Sequence, residues 1–120
     1  AIVTGGASGL GAATARLLVE NGARVTLLDR SEEGARRVAE SIGTGCSYAV
    51  ADVTSAADLE AAVQAAGPIH VLVNCAGIGD PMRVIGKEGP ASLDRFARVV
   101  NVNLIGSFNA IRLAAWAMSR

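Results

Sequence analysis

The residues best placed to do chemistry are four glycines within seven positions, Gly5, Gly6, Gly9 and Gly11, followed at once by the helix-like run that starts at Gly9. Glycine costs about 1 kcal/mol against alanine inside a helix, so this turn has some need for bare backbone. A helix N-terminus exposes four unpaired N–H groups and a partial positive charge. It takes up an anion only if the anion can come close. Glycines that clear side chains from such a turn suit a diphosphate. They also permit the sharp bend and let helix and strand approach. Asp29 ends the second apolar run, 18 residues beyond Gly11, where an acid can accept from both hydroxyls of an adenosine ribose. Each such charge-assisted bond is worth roughly 1.5–3 kcal/mol. The same carboxylate repels a 2′-phosphate. Arg30 points the other way, but Ser8 supplies no second basic group, so the expected cofactor is NAD rather than NADP.

The elements that must hold these residues alternate along the chain. Ala1–Thr4, Arg24–Asp29, Cys46–Val50 and Ile69–Asn74 read as strands. Between them lie helices. The first is expected over Gly9–Asn21, with Leu10, Ala13, Leu17 and Leu18 on its buried face and Asn21-Gly22 as its stop. The second is capped by Ser31, carries Glu32 and Glu33 in its first turn, and repeats Ala35, Val38, Ala39 and Ile42 at helical spacing. The third opens on a capping-box-like Ser55-Ala56-Ala57-Asp58 and turns Leu59, Ala62, Val63 and Ala66 inward. A loop with Gly and Pro punctuation spans Ile78–Ala91, and Ser92 caps a last helical region running to the end. Strands apolar on both faces, separated by amphipathic helices, imply an α/β fold. The expected form is a doubly wound Rossmann-type parallel sheet, helices on both faces, in strand order 3-2-1-4.

Composition narrows the rest. Zero formal net charge gives no footing for nucleic acid or an acidic membrane surface, and no apolar run is long enough to span a bilayer. Cys46 and Cys75 have no metal-ligand spacing, no metal site is expected, and two free thiols suit a reducing, cytoplasmic setting. They should not pair, because in this strand order two strands separate them. The chain opens directly on AIVT without a Met, which leaves room for residues upstream. His70 sits at the wrong end of its strand for ligand work. Arg36 and Arg37 share a solvated face with Glu32, Glu33 and Glu40. Leu113, Trp116, Ile105 and Phe108 are expected to pack inward. Met82, Val84 and Ile85 are apolar residues in a loop that borders the carboxyl ends of the strands.

The spacing Thr4-Gly5-x-x-x-Gly9-x-Gly11 resembles the short-chain dehydrogenase/reductase family. So do Asp52-Val53, Asn74-Cys75-Ala76-Gly77 and Asn101-Val102-Asn103-Leu104, which follow in that family's order along the whole chain. More narrowly, TGGASGLG, ADVTS, VNCAGI and VVNVNLIGSFNAIRLAA resemble the type-2 3-hydroxyacyl-CoA dehydrogenase group, which includes 17β-hydroxysteroid-oxidising members. Cys75 stands where most of the wider family has a second Asn.

The resemblance implies roles. Gly5, Ser8, Gly9, Leu10 and Gly11 meet the diphosphate and its neighbouring ribose. Asp29 takes the adenosine ribose, while the Asp52 side chain and Val53 backbone bracket the adenine. Cys75, Ala76 and Gly77 line the nicotinamide-side ribose. Asn74, in the same motif, is counted with this set and reads chiefly as a tie between strands. Asn103 matches a catalytic position that distorts its helix and holds a water in a proton relay, with Asn101 a structural neighbour. The resemblance also implies a homodimer or homotetramer, and a secondary alcohol or ketone of acyl-CoA or steroid-like type as the small-molecule substrate.

The family's Tyr-x-x-x-Lys pair is missing: the one tyrosine is Tyr48 and the one lysine Lys87. Residues 1–120 therefore read as the NAD-binding N-terminal half of one dehydrogenase domain. The catalytic half is absent, and the piece alone is expected to be inactive. Two other functions fit parts of the pattern. One is a non-catalytic NAD(H)-binding or regulatory relative. The other is a methyltransferase, which has no use for the Asn-Cys-Ala-Gly and Asn-Val-Asn motifs.

Overall fold

A computed structural model describes residues 1–120. Four strands, β1 (Ile2–Thr4), β2 (Val25–Asp29), β3 (Cys46–Val50) and β4 (Leu72–Asn74), form one parallel sheet in the order β3-β2-β1-β4. The register pairs Thr4 with Leu28 and with Asn74, which brings the carboxyl ends of β1, β2 and β4 level. Three helices connect the strands: α1 (Gly9–Glu20), α2 (Glu32–Ile42) and α3 (Ala56–Ala66). After the loop come α4 (Leu93–Val100), a π-helical turn (Asn101–Ile105) and α5 (Gly106–Met118). This is the expected doubly wound arrangement. Cys46 and Cys75 are both free, on opposite edges of the sheet.

Alternation along the strands divides the core in two. Val3, Val25 and Leu27 turn to the face covered by α1 and α2, where Ala15 and Ala39 meet them. Ile2 and Leu28 turn the other way, to Leu59, Ala62 and Val63 of α3 and Ala110 of α5. Leu27 and Leu59 are wholly buried, each such side chain contributing about 1.5–3 kcal/mol relative to exposure. Ser31, Ser55 and Ser92 all cap as expected, accepting from Gly34, Asp58 and Arg95 N–H at 3.1, 3.2 and 3.3 Å.

Several expectations are corrected. The inward face of α1 is Gly11 and Ala15, with Leu18 and Val19 half-buried; Leu10 is 82% exposed and Leu17 61%. Glycine at position 11 lets the helix lie against the β1 turn, so the small residues, not the leucines, turn inward. The ladder of β4 starts only at Leu72, although Ile69 is buried and Ile2 N–H still bonds the Val71 carbonyl at 2.8 Å. The Ser55 box is half made: Asp58 N–H donates to Ser55, but the Asp58 carboxylate accepts from the Asp52 N–H at 3.1 Å instead. The last helical region is interrupted by the π-helical turn, and this is the distortion that the resemblance implies at Asn103. Of its large apolar residues Val102 and Leu113 pack on the core, whereas Ile105, Phe108 and Trp116 are exposed.

Candidate functional site

Beyond the carboxyl ends of the strands lies a crevice of about 330 Å³. Gly5, Ser8, Gly9, Leu10 and Gly11 form one wall. Asp29, Asp52 and Val53 line the end under β2 and β3. Cys75, Ala76 and Gly77 line the end under β4. Asn74, the other member of the expected set, is exposed and outside the crevice. Its backbone pairs with Thr4, and its side chain makes no hydrogen bond within the protein.

The glycine turn divides its labour. Gly5, at φ +67°, lies so close to the start of the next motif that a Cβ would stand 2.7 Å from the Ala76 nitrogen. A Cβ on Gly11 would stand 2.1 Å from the Gly5 carbonyl oxygen, and one on Gly6 would meet the Leu27 side chain at 2.8 Å. These three serve close packing. Gly9, at φ +52°, has nothing within 4 Å of its Cβ position and faces the crevice. The clearance for an anion is therefore the work of Gly9. Ser8 adopts an extended N-cap conformation without a side-chain cap. The N–H groups of Ser8, Gly9, Leu10 and Gly11 donate to no protein atom, the next amide, Ala12, returning to the Ser8 carbonyl at 3.1 Å. Such a cluster at the positive end of a helix is what an anion needs.

Asp29 braces this wall. Its Oδ2 accepts from Ala7 N–H at 3.1 Å and its Oδ1 from Ser31 N–H at 2.9 Å. It thereby ties the glycine turn to the cap of α2, and each oxygen keeps acceptor capacity for a ligand hydroxyl. Asp52 stands across the crevice. Its Oδ1 accepts from the Thr54 hydroxyl at 2.7 Å and the Thr54 N–H at 2.9 Å, while Arg30 Nε lies 3.4 Å from its Oδ2. The Thr54 bonds above all, helped by Arg30 and opposed by burial, hold the Asp52 carboxyl below its ordinary range.

Asn103 lies in the π-helical turn. Its Oδ1 accepts from Ile78 N–H at 2.8 Å and its Nδ2 donates to the Ile78 carbonyl at 2.9 Å. A Cβ on Gly77 would come within 3.3 Å of that Oδ1. The expected helix distortion is present, and one donor and one acceptor position of the side chain fix the segment that follows β4, leaving a second N–H and a second lone pair. Asn101 is exposed in the same turn, and its carbonyl accepts from Gly106 N–H.

Two positioning residues escaped the reading of the sequence. Thr4 is fully buried, and its hydroxyl accepts from the N–H groups of both Cys75 and Ala76 at 3.2 Å, pinning that motif to β1. Asn109, on the buried side of α5, donates to the Val53 carbonyl at 2.9 Å. A polar residue among the small residues Gly106, Ala110 and Ala114 was the available signal.

The loop beside the crevice is clasped to α4 by a two-pronged ion pair. Arg95 Nε donates to Asp80 Oδ2 at 2.8 Å and its Nη2 to Asp80 Oδ1. Beyond it, Val84–Ala91 makes a small hairpin with Val84 and Ile85 exposed. The Arg95 hydrogen bond holds the Asp80 carboxyl below its ordinary value. A carboxyl depressed in the folded state contributes above its unfolded pKa, and the contribution is lost as pH falls through the folded one. The clasp should thus be intact from neutral pH down through the ordinary carboxylate range and open only below that range. Hydrogen exchange of residues 78–91 across that range reads the opening, and D80N should abolish the pH dependence.

His70 is exposed at the opposite end of the sheet. No group of three or more His, Cys, Asp or Glu side chains is arranged to hold a metal ion, and no helix is long and apolar enough to cross a membrane.

The family model described as short chain dehydrogenase matches residues 1–120. Among curated relatives, 3-hydroxyacyl-CoA dehydrogenase type-2 of Bos taurus is 46% identical over all of this chain and 48% of its own length. The crystal structure of 3-hydroxyacyl-CoA dehydrogenase type-2 from Mycobacterium avium superposes with a TM-score of 0.88 at 33% identity, covering 97% of this chain and 47% of that one. An actinorhodin polyketide ketoreductase solved with NADPH gives a TM-score of 0.87 at 33% identity, covering 98% and 46%. The chain thus spans about half the length of the proteins it matches. Because the family match runs through every element that builds the crevice, from β1 to α5, the chain belongs to the short-chain dehydrogenase family.

Proposed function

We propose that residues 1–120 are the NAD-binding half of an oxidoreductase that interconverts a secondary alcohol and a ketone, with 3-hydroxyacyl-CoA thioesters as the substrate class. The observation that carries the reading is the row of unpaired amides from Ser8 to Gly11 with the Asp29 carboxylate beside it. The residues present suit the cofactor on three counts: the amides take a diphosphate, the bare Gly9 admits it, and Asp29 accepts from ribose hydroxyls. When bound, the nicotinamide ring supplies the hydride acceptor or donor.

This chain's part is to bind and orient. The amides offset the diphosphate charge, and Asp29 favours a free 2′-hydroxyl over a 2′-phosphate. Asn103 is a positioning residue: it acts on proton transfer through Ile78, by holding the floor of the crevice at Gly77–Ile78. Proton transfer to the substrate oxygen falls to a Tyr-x-x-x-Lys pair outside these residues, so the piece alone is inactive. The substrate class rests on the names of the relatives, 3-hydroxyacyl-CoA dehydrogenases among them. Exposed Phe96, Phe108 and Trp116 along α4 and α5 support a homodimer or homotetramer. Two free thiols that cannot reach each other suit the cytoplasm.

The test is NADH formation by the full-length protein with 3-hydroxybutyryl-CoA and NAD. Turnover is expected. Tight NADH binding without turnover on any hydroxyacyl-CoA would instead favour a non-catalytic sensor.

A further inference from the structure

We infer that Asn109, from α5, is the positioning residue that makes the crevice selective for adenine over other purines. The inference rests on the dinucleotide reading above. Val53 is only 7% exposed, lines the crevice, and has a backbone N–H that donates to no protein atom. Amides without a partner are rare at so buried a residue, so this one calls for an acceptor on the ligand. Beside it, Asp52 Oδ1 is saturated by Thr54, whereas Oδ2 has only the 3.4 Å contact with Arg30. A donor at Val53 next to an acceptor at Asp52 complements the Watson–Crick edge of adenine, which offers an acceptor at N1 and a donor at the 6-amino group. Hypoxanthine offers the reverse, an N–H and a carbonyl, and would set donor against donor and oxygen against carboxylate.

What aims this pair is α5. Asn109, itself 7% exposed, donates to the Val53 carbonyl at 2.9 Å, and Arg112 Nε donates to Asn109 Oδ1 at 3.0 Å. The second bond forces the amide to turn its NH₂ to Val53. One turn earlier, a Cβ on Gly106 would stand 2.6 Å from Val53 Cγ2, so the helix backbone lies directly against the Val53 side chain. Val53 is therefore gripped by carbonyl and side chain together, which leaves its N–H one direction.

The test is titration of the full-length protein with NAD and with nicotinamide hypoxanthine dinucleotide, alongside melting curves. The wild type should prefer NAD by about tenfold or more, the worth of one or two hydrogen bonds. In Asn109→Ser the preference should fall to about threefold or less. Arg112→Met changes an exposed side chain and removes only the bond that orients the amide, and it should lower the preference in the same direction without unfolding the protein. Variants that melt earlier but keep the wild-type preference would show that Asn109 is merely structural and overturn the inference. A wild type that binds both dinucleotides equally would overturn it while leaving the NAD reading intact. A wild type that binds neither would remove the reading beneath it as well.

Discussion

Asp29→Ala is expected to weaken NAD binding by about a hundredfold and to cut the preference for NAD over NADP by a similar factor. Two charge-assisted bonds to the ribose hydroxyls at roughly 1.5 kcal/mol each give that magnitude. The carboxylate also ties Ala7 to Ser31, so its loss loosens the glycine turn and costs both cofactors something. That shared loss cancels in the ratio, which is therefore the quantity to measure. For NADP the substitution also removes a negative charge facing the 2′-phosphate. Arg30, 66% exposed and joined to Asp52 only at 3.4 Å, is free to turn toward that phosphate. Equal losses for the two cofactors, measured by titration of the full-length protein, would count against a ribose role for Asp29.

The fold was legible because its signals are local. Apolar runs of strand length, serines one residue ahead of α1, α2 and α3 and glycines at the turns specify the βα alternation. Right-handed crossovers leave few ways to wind it. The crevice was legible for the same reason, since its walls follow directly after β1, β2, β3 and β4. What failed depends on contacts between distant elements. Large residues usually mark the buried face of a helix, yet α1 must lie within backbone distance of Gly5. Gly11 and Ala15 therefore face the sheet, and Leu10 and Leu17 stay outside. A π-helical turn has the apolar pattern of the helices that flank it, so the distortion within Asn101–Ile105 was legible only through the resemblance at Asn103. Thr4 and Asn109 sit in apolar surroundings where a polar side chain looks incidental until its partners, 71 and 56 residues away, are in view.

The glycine turn offers a pair of substitutions whose effects should cross. In Gly11→Ala the added methyl would stand 2.1 Å from the Gly5 oxygen and 2.7 Å from the Gly5 carbonyl carbon. Both are backbone atoms, which cannot swing aside as a side chain would. Gly5 is itself hemmed in by Ala76, so a shift of the turn presses on the start of the loop after β4. Overpacking of this kind costs about 1–3 kcal/mol and occasionally more, and two backbone neighbours put Gly11→Ala at about 3 kcal/mol or above. Gly9→Ala meets nothing within 4 Å. It keeps the fold at a cost of about 1 kcal/mol for a left-handed residue, but places its methyl over the amides of Ser8 to Gly11. Urea denaturation of the full-length protein should then show a large fall in midpoint for Gly11→Ala and a small one for Gly9→Ala. Dinucleotide affinity in Gly9→Ala should fall by at least about tenfold, the worth of roughly 1.4 kcal/mol of anion contact. A Gly9→Ala protein that binds the dinucleotide as the wild type does would place the anion somewhere other than the start of α1. A Gly11→Ala protein of unchanged midpoint would mean that helix and turn are not in backbone contact.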